Sequence, residues 1–217
     1  MTGASGMVSA RPNSEQVMQV QDRLREGPPL LLDGATGTEL NRRGVGTELP
    51  TWSAKALWEA PDVLRAVHRD YVLAGAEIIT ANTFRTHRRS LDAAGYADKA
   101  NLLTHKAVEL ARAAIQDAVP GNGEKVHVAG SIAPLEDCYS PHLVPDSETL
   151  SVEHYEMATA LADAGADLLL VETMNTIREA AVAAEVAVAT GLPVMVSFVY
   201  GRDGRLLSGE SIPVAAG

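Results

Sequence analysis

The feature that most constrains the fold is a regular alternation of short apolar runs with amphipathic helical segments. The apolar runs, each typical of a buried strand, cover residues 30–33, 77–82, 125–131, 167–172 and 193–200. Two helix-to-strand junctions are alike, AGAEIIT at 74–80 and AGADLLL at 164–170. Strands that alternate with helices form a parallel sheet with right-handed crossovers, so the sequence predicts an α/β fold.

Two architectures fit this alternation. One is an incomplete (β/α)8 TIM barrel with about five βα units present, and the other is an open five-stranded parallel α/β sheet. The last stretch, GRDGRLLSGESIPVAAG, begins a loop and a new helix and then stops, which favours the barrel. We therefore expect a disordered leader at 1–13 and, at 14–217, the N-terminal part of a barrel domain truncated before its sixth strand.

Composition excludes several classes of protein. The formal net charge is −10 and no basic stripe is present, so we expect no nucleic-acid partner. No apolar run approaches the ~20 residues that span a bilayer, and the N-terminus lacks the apolar core of a signal peptide. The single cysteine, Cys138, rules out a disulfide within the chain and a multi-cysteine metal site. The sequence therefore predicts a cytoplasmic protein with no membrane contact.

Polar residues stand where each predicted strand leaves the core. These strand-end residues are Asp33, Asn82 with Thr83, Ser131, Glu172 with Thr173, and Ser197. In parallel α/β folds the active site lies at this end of the strands. Asp33 opens a glycine-punctuated turn, DGATG, whose backbone N–H groups can approach a ligand closely. Asp33 and Glu172 could converge on a small cationic group such as an amine, with neutral hydrogen bonds from Asn82 and Ser131.

Other titratable residues have simpler interpretations. We interpret Cys138 as an incidental thiol in a loop and not as a nucleophile, because no base is identifiable beside it. His87, with Arg85, Arg88 and Arg89, is typical of a solvated face, although this stretch follows a strand end and so could contact substrate or donor. The motifs HExxH, GxGxxG and the P-loop are absent.

The chain resembles the homocysteine S-methyltransferase family. The resemblance is carried, in the family's order, by DGATGTEL at 33–40, ANTF at 81–84, GSIAP at 130–134 and LLLVET at 168–173, and it covers about residues 24–217. It implies methyl transfer to homocysteine, giving methionine, from an onium donor of the S-methylmethionine or S-adenosylmethionine class. In the family, a bound zinc lowers the thiol pKa so that the thiolate attacks the methyl group.

The resemblance also implies roles for individual residues. Asp33 and Glu172 match the carboxylates that hold the homocysteine amino group, and Gly34 and Ala35 match the turn whose N–H groups face its carboxylate. Trp52 lies in the loop that shapes the donor side of the pocket. The remaining implied substrate-binding positions are Asn82, Thr83 and Ser131.

The resemblance fails at the metal site. The family holds zinc with three cysteines, one after the sixth strand and an adjacent pair after the eighth, and this chain contains neither position. Cys138, in the loop after the third strand, matches no zinc ligand. We therefore expect zinc to be the family's cofactor, with no metal ligand and no catalytic residue in this chain.

Partners and alternatives follow from these expectations. The implied small-molecule partners are homocysteine and a methyl donor, and open sheet edges would favour self-association or a C-terminal partner chain. One alternative is a catalytically inactive truncated paralogue or fragment that binds an amino acid or a partner chain. Another is a different barrel enzyme, such as a pterin-dependent methyltransferase or an aldolase.

Overall fold

The protein folds around a four-stranded parallel sheet. The computed structural model describes residues 20–23, 25–121 and 125–215. The strands are β1 Ile78–Ala81, β2 His127–Ile132, β3 Leu168–Met174 and β4 Val194–Phe198. Each strand pairs with the next in parallel, so the sheet order β1-β2-β3-β4 follows the chain order. A doubly wound sheet reverses its order at a switch point, whereas a barrel does not, so this order favours the incomplete, unclosed barrel.

The predicted strand at 30–33 is present as a bridged segment only. It forms one parallel bridge, between Leu32 and Ile78. The Asp33 N–H donates to the Ile78 carbonyl at 3.0 Å, and the Glu77 N–H donates to the Leu31 carbonyl at 2.8 Å. The segment therefore lies beside β1, where the first strand of a barrel belongs. The other four predicted strands are confirmed within one or two residues at each end.

The helices follow the strands in alternation. They are α1 Thr36–Arg42, α2 Ala56–Glu59, α3 Pro61–Leu73, α4 Arg88–Asp92, α5 Ala100–Ala118, α6 Ser147–Asp163, α7 Ile177–Val188 and α8 Ile212–Ala215, with short 3-10 helices at Trp52–Lys55, Ala97–Lys99 and Pro141–Leu143. Residues 20–23 and 25–26 are also helical, while the predicted leader at 1–13 lies outside the described residues. None of the helices described is both long enough and apolar enough to cross a membrane.

Both faces of the sheet are apolar, as expected for parallel strands. Residues such as Ile79, Val128 and Leu169 belong to the main core, which the helices share. The alternate residues pack in a second cluster, whose buried members are Val20, Ile78, Ala129, Leu168 and Leu170. Successive side chains of a strand point to opposite faces, so this second cluster marks the inner face of the barrel.

Candidate functional site

A cavity of about 710 Å³ opens at the carboxyl ends of the strands. The predicted site residues that line it are Asp33, Gly34, Ala35, Trp52, Asn82, Ser131 and Glu172. Thr83 is the exception: it is buried, and its hydroxyl donates to the Ser131 carbonyl at 2.8 Å. Thr83 therefore joins the end of β1 to β2 beneath the cavity.

Asp33 lies on the cavity wall next to β1. Its two carboxylate oxygens accept hydrogen bonds from Thr80, one from the backbone N–H at 2.9 Å and one from the hydroxyl at 2.8 Å. Burial raises the pKa of Asp33, and the two bonds from Thr80 oppose that rise. A carboxylate has about four lone-pair sites, so Asp33 keeps acceptor capacity for a ligand.

Glu172 faces the cavity from an irregular part of β3. The register between β3 and β4 shifts between Val171 and Met174, and Thr173 has φ +61°, a conformation rare for a β-branched residue. Glu172 lies two residues after Leu170 of the inner cluster, so strand alternation directs its side chain to the same face. The Ser131 hydroxyl donates to Oε1 of Glu172, whereas Oε2 accepts no hydrogen bond from the described residues.

The charge of Asp33 acts on Glu172. Burial raises the pKa of Glu172, and the charge of Asp33 raises it further. No cationic side chain among the described residues stabilises the charge of either group. The pair therefore lacks a counter-ion, and a ligand ammonium would supply one.

The turn after Asp33 has space for two aromatic rings because of its glycines. A Cβ at Gly34 would lie 2.8 Å from the Tyr71 hydroxyl oxygen, and one at Gly37 would lie 2.7 Å from Cζ2 of Trp52. The N–H groups of Gly34 and Ala35 make no hydrogen bond within the part of the chain that the structure describes. They are therefore free donors on the cavity wall.

An aromatic pair forms another side of the cavity. The rings of Trp52 and Phe84 meet edge to face, with centroids 5.4 Å apart and an interplanar angle of 69°. Trp52 has φ +45°, so both non-glycine residues with positive φ in the described chain, Trp52 and Thr173, line this cavity. Strained backbone of this kind concentrates at functional sites.

Asn82 holds the loop that carries Trp52. Its Oδ1 accepts from the Ser53 hydroxyl at 2.6 Å, and its Nδ2 donates to the Ser53 carbonyl at 2.8 Å. Asn82 is 5% exposed, and both ends of its amide are already paired. Its contribution in this structure is therefore to position the 3-10 helix that begins with Trp52.

Sequence reasoning missed part of the cavity wall. Cys138, interpreted as an incidental thiol, lies buried in this wall, where burial raises its pKa and the charge of Arg85 opposes that rise. Tyr139, from the same loop, also lines the cavity, and so does Arg85, from the stretch after β1 that the sequence left open to a contact with substrate or donor. The available signal was position: the loop after β2 leaves the sheet at its carboxyl end, where any side chain is a candidate.

The prediction of a solvated face at 85–89 is wrong for His87. This residue is buried and caps α4 by accepting from the Ser90 N–H, and burial lowers its pKa to about 3. Arg88 pairs with Glu156 at the surface, outside the cavity. Arg89 forms ion pairs with Glu136 and Glu153.

The donor groups of this chain do not fit a three-thiolate zinc site. Cys138 is the only cysteine in the sequence. Within residues 20–23, 25–121 and 125–215, no cluster of three or more His, Cys, Asp or Glu could hold a metal ion. A closed or catalytic zinc site needs at least three protein ligands.

Comparisons with known proteins give one family. The family model for homocysteine S-methyltransferase matches residues 30–216. Selenocysteine Se-methyltransferase of Brassica oleracea var. italica is 31% identical over 234 residues, covering 95% of this chain and 66% of that protein. Homocysteine S-methyltransferase of Escherichia coli K12 is 38% identical over 173 residues, covering 74% of this chain and 54% of that protein. The chain thus spans about half to two thirds of the length of these relatives.

A solved structure gives the same result. The metallated form of the homocysteine methyltransferase MmuM from Escherichia coli superposes with a TM-score of 0.79 at 31% identity. The superposition covers 92% of this chain and 72% of that one. The apo form of the same protein gives a TM-score of 0.70.

Proposed function

The chain belongs to the homocysteine S-methyltransferase family, and on that premise we propose that its cavity binds homocysteine and an onium methyl donor. The reaction is the transfer of the donor's methyl group to the homocysteine sulfur, giving methionine. The bond from the methyl carbon to the onium atom breaks as the new carbon–sulfur bond forms. The electron pair of the broken bond stays on the former onium atom, and the thiol proton is released to solvent.

The observation that carries this proposal is the pair of carboxylates without a counter-ion, Asp33 and Glu172. Their raised pKa values reflect burial without a cation, and the ammonium of an amino acid would stabilise both in their charged form. The free N–H groups of Gly34 and Ala35 supply donors for the carboxylate of the same ligand. Together these groups recognise an α-amino acid and leave its side chain in the cavity.

The aromatic pair supports the donor class. The face of a tryptophan ring attracts cations through its quadrupole, and this attraction is strongest when the cation is desolvated. Trp52 and Phe84 therefore offer a surface for a sulfonium or quaternary ammonium group. We assign the donor to the S-methylmethionine or S-adenosylmethionine class on this basis.

Zinc is the metal that the family resemblance implies, and the residues of this chain do not fit it. One thiol without a cluster of further ligands cannot make the site, so we derive no metal-dependent step. The role proposed for this chain is to bind and orient the two substrates.

Titration calorimetry of the purified chain with homocysteine, with and without zinc, tests the proposal. We expect homocysteine binding that does not depend on zinc. Glu172→Gln should weaken it roughly tenfold to a hundredfold, because a hydrogen bond to a charged partner contributes about 1.5–3 kcal/mol. The matched control is Glu156→Gln, which removes a carboxylate outside the cavity.

The outcomes separate the alternatives. No homocysteine binding at millimolar concentration would overturn the proposed function. Binding without methyl transfer from S-methylmethionine would favour the inactive amino-acid-binding paralogue. Zinc-dependent methyl transfer by this chain alone would contradict the statement that it lacks the metal ligands.

A further inference from the structure

Arg85 is the one basic residue of the stretch 85–89 that lines the cavity. Arg88 and Arg89 pair with glutamates, and His87 is neutral and buried, as described above. Arg85 forms no ion pair with any described residue, although its side chain is partly buried and burial lowers its pKa. A partly buried cation without an ion-pair partner is unfavourable, so its presence on the wall of a cavity needs an explanation.

The hydrogen bonds of Arg85 are few and long. Nη1 donates to the Ser90 hydroxyl and to the Glu136 carbonyl, each at 3.4 Å. Nε and Nη2 donate to no group in the described part of the chain. A guanidinium has five N–H donors in a planar fork that matches a carboxylate, and most of them are unused here.

The two carboxylates whose charges act on Arg85 have other hydrogen-bonding or ion-pair partners. The Glu136 carboxylate pairs with Arg89 at 2.9 Å. The Asp137 carboxylate accepts from the Ser140 hydroxyl at 2.7 Å and from the Tyr139 N–H at 3.2 Å. Both charges act on Arg85 at longer range, but neither reaches salt-bridge distance.

The position of Arg85 is next to the aromatic surface. Its guanidinium lies 5.3 Å from the centroid of Phe84, which in turn contacts Trp52. The thiol of Cys138 lines the same cavity, and the charges of Arg85, Asp137 and Glu172 all act on its pKa. The cavity wall therefore carries the unpaired carboxylates of Asp33 and Glu172 and, next to the aromatic rings, the guanidinium of Arg85. Asp137 also lines the cavity, but its carboxylate accepts from Ser140 and Tyr139 and forms no salt bridge with Arg85.

We propose that Arg85 binds the carboxylate of the methyl donor, with the donor's onium group against Trp52 and Phe84. This inference rests on the proposed function and extends it: it makes Arg85 a specificity residue for onium donors that carry a carboxylate. The carboxylate of homocysteine already has donors in the turn at Gly34 and Ala35. A planar guanidinium gives a bidentate bond that a lysine ammonium does not, so the recognition is geometric as well as electrostatic.

Tryptophan fluorescence and calorimetry with two pairs of ligands test this role. The pairs are S-methylmethionine with (3-aminopropyl)dimethylsulfonium, and homocysteine with 3-amino-1-propanethiol; each second member lacks the carboxylate. We expect Arg85→Gln to weaken S-methylmethionine binding roughly tenfold to a hundredfold. Binding of the decarboxylated sulfonium and of homocysteine should not change. Arg85→Lys should recover part of the loss, and Arg88→Gln, outside the cavity, should have no effect.

Three outcomes would overturn the role of Arg85. The first is that Arg85→Gln weakens the binding of both sulfonium compounds equally. The second is that Arg85→Gln weakens the binding of homocysteine alone. The third is that the wild-type chain binds homocysteine but neither sulfonium compound. In the first two cases the wild-type protein still binds homocysteine and a sulfonium, which keeps the proposed function intact. The third case would also remove the methyl donor from the proposed function. Absence of homocysteine binding would instead remove the proposed function itself. A circular dichroism melt of each variant shows whether it is folded.

Discussion

Glu77 and Asp167, at the amino ends of strands, are paired with arginines, whereas Asp33 and Glu172, at the carboxyl ends, are not. Glu77 accepts from Nη2 of Arg23 at 3.0 Å, and Asp167 accepts from Nη2 of Arg112 at 2.5 Å. Each also accepts a backbone N–H from the neighbouring segment of the sheet, at 3.2 Å and 2.7 Å respectively. These two residues stand in the matching junctions AGAE and AGAD, so the sequence echo corresponds to one structural device used twice.

Asp33 and Glu172, at the opposite end, have the reverse environment. Their hydrogen bonds come from neutral groups of Thr80 and Ser131, and no described cation pairs with them. Burial raises the pKa of both, which makes their charged forms unfavourable in the free protein. In barrel folds the amino-end face contributes stability and the carboxyl-end face contributes chemistry. The partners of the four carboxylates follow this division.

The largest effect should come from breaking the pairing at the amino end. Asp167 is 5% exposed, and Asp167→Asn leaves Arg112 without its carboxylate. We expect the free energy of unfolding to fall by about 2–3 kcal/mol, less than for a fully buried pair because Arg112 is partly exposed. Urea unfolding measures this loss, and homocysteine affinity should stay unchanged under folded conditions.

The matched control for this variant is Asp117→Asn. Asp117 pairs with Arg65 on the surface, where both side chains are about 40% exposed. Solvent screens an exposed ion pair, so this variant should lose much less stability than Asp167→Asn. Equal losses in the two variants would show that the amino-end pair has no special structural role.

The second prediction concerns pH and the unpaired carboxylates. As pH falls from 7 through the raised pKa values of Asp33 and Glu172, both become protonated and stop attracting an ammonium. We expect homocysteine affinity to fall roughly tenfold for each carboxyl group, per pH unit below its pKa. Calorimetry between pH 7 and pH 4 measures the slope, and Glu172→Gln should make it shallower.

The stability of the free protein should rise, and not fall, as pH falls and Asp33 and Glu172 become protonated. The folded chain holds these two protons more tightly than the unfolded chain, so the pair destabilises the free protein as pH rises through the raised values. Glu172→Gln should therefore be more stable than the wild type at pH 7, and the difference should disappear at acidic pH. A variant that is less stable at pH 7 would contradict the view that Glu172 is a binding group held at a cost.

Residue order along the chain was enough to predict the strand ends and hence most of the cavity wall. Strand–helix alternation placed Asp33, Ser131 and Glu172 at one edge, and all three line the same cavity. This works because every parallel strand ends on the same side of the sheet. The sequence did not predict that the segment at 30–33 makes only one bridge, since pairing depends on partners distant in sequence.

The direction of individual side chains could not be predicted in the same way. Thr83 was expected on the wall, yet it bonds to the Ser131 carbonyl beneath it. The register shift between Val171 and Met174 and the positive φ of Thr173 were not predicted either, because the pairing of β3 with β4 depends on both strands. Arg85 and His87 differ in environment although two residues apart, because the turn after β1 directs one to the cavity and the other to α4.

The smallest effect should come from Glu77, the second paired carboxylate. Its ion pair with Arg23 is partly exposed, with 33% and 40% of the side chains accessible, so Glu77→Gln should cost about 0.5–1 kcal/mol and less at high salt. The hydrogen bond from the Leu31 N–H and the pair with Arg23 lower the pKa of Glu77, so the stabilisation is present at neutral pH and lost as pH falls through that lowered value. A double-mutant cycle with Arg23→Gln, measured by urea unfolding, isolates the pair. If Glu77→Gln instead weakened homocysteine binding as strongly as Glu172→Gln does, the division of the sheet into a stabilising end and a binding end would be wrong.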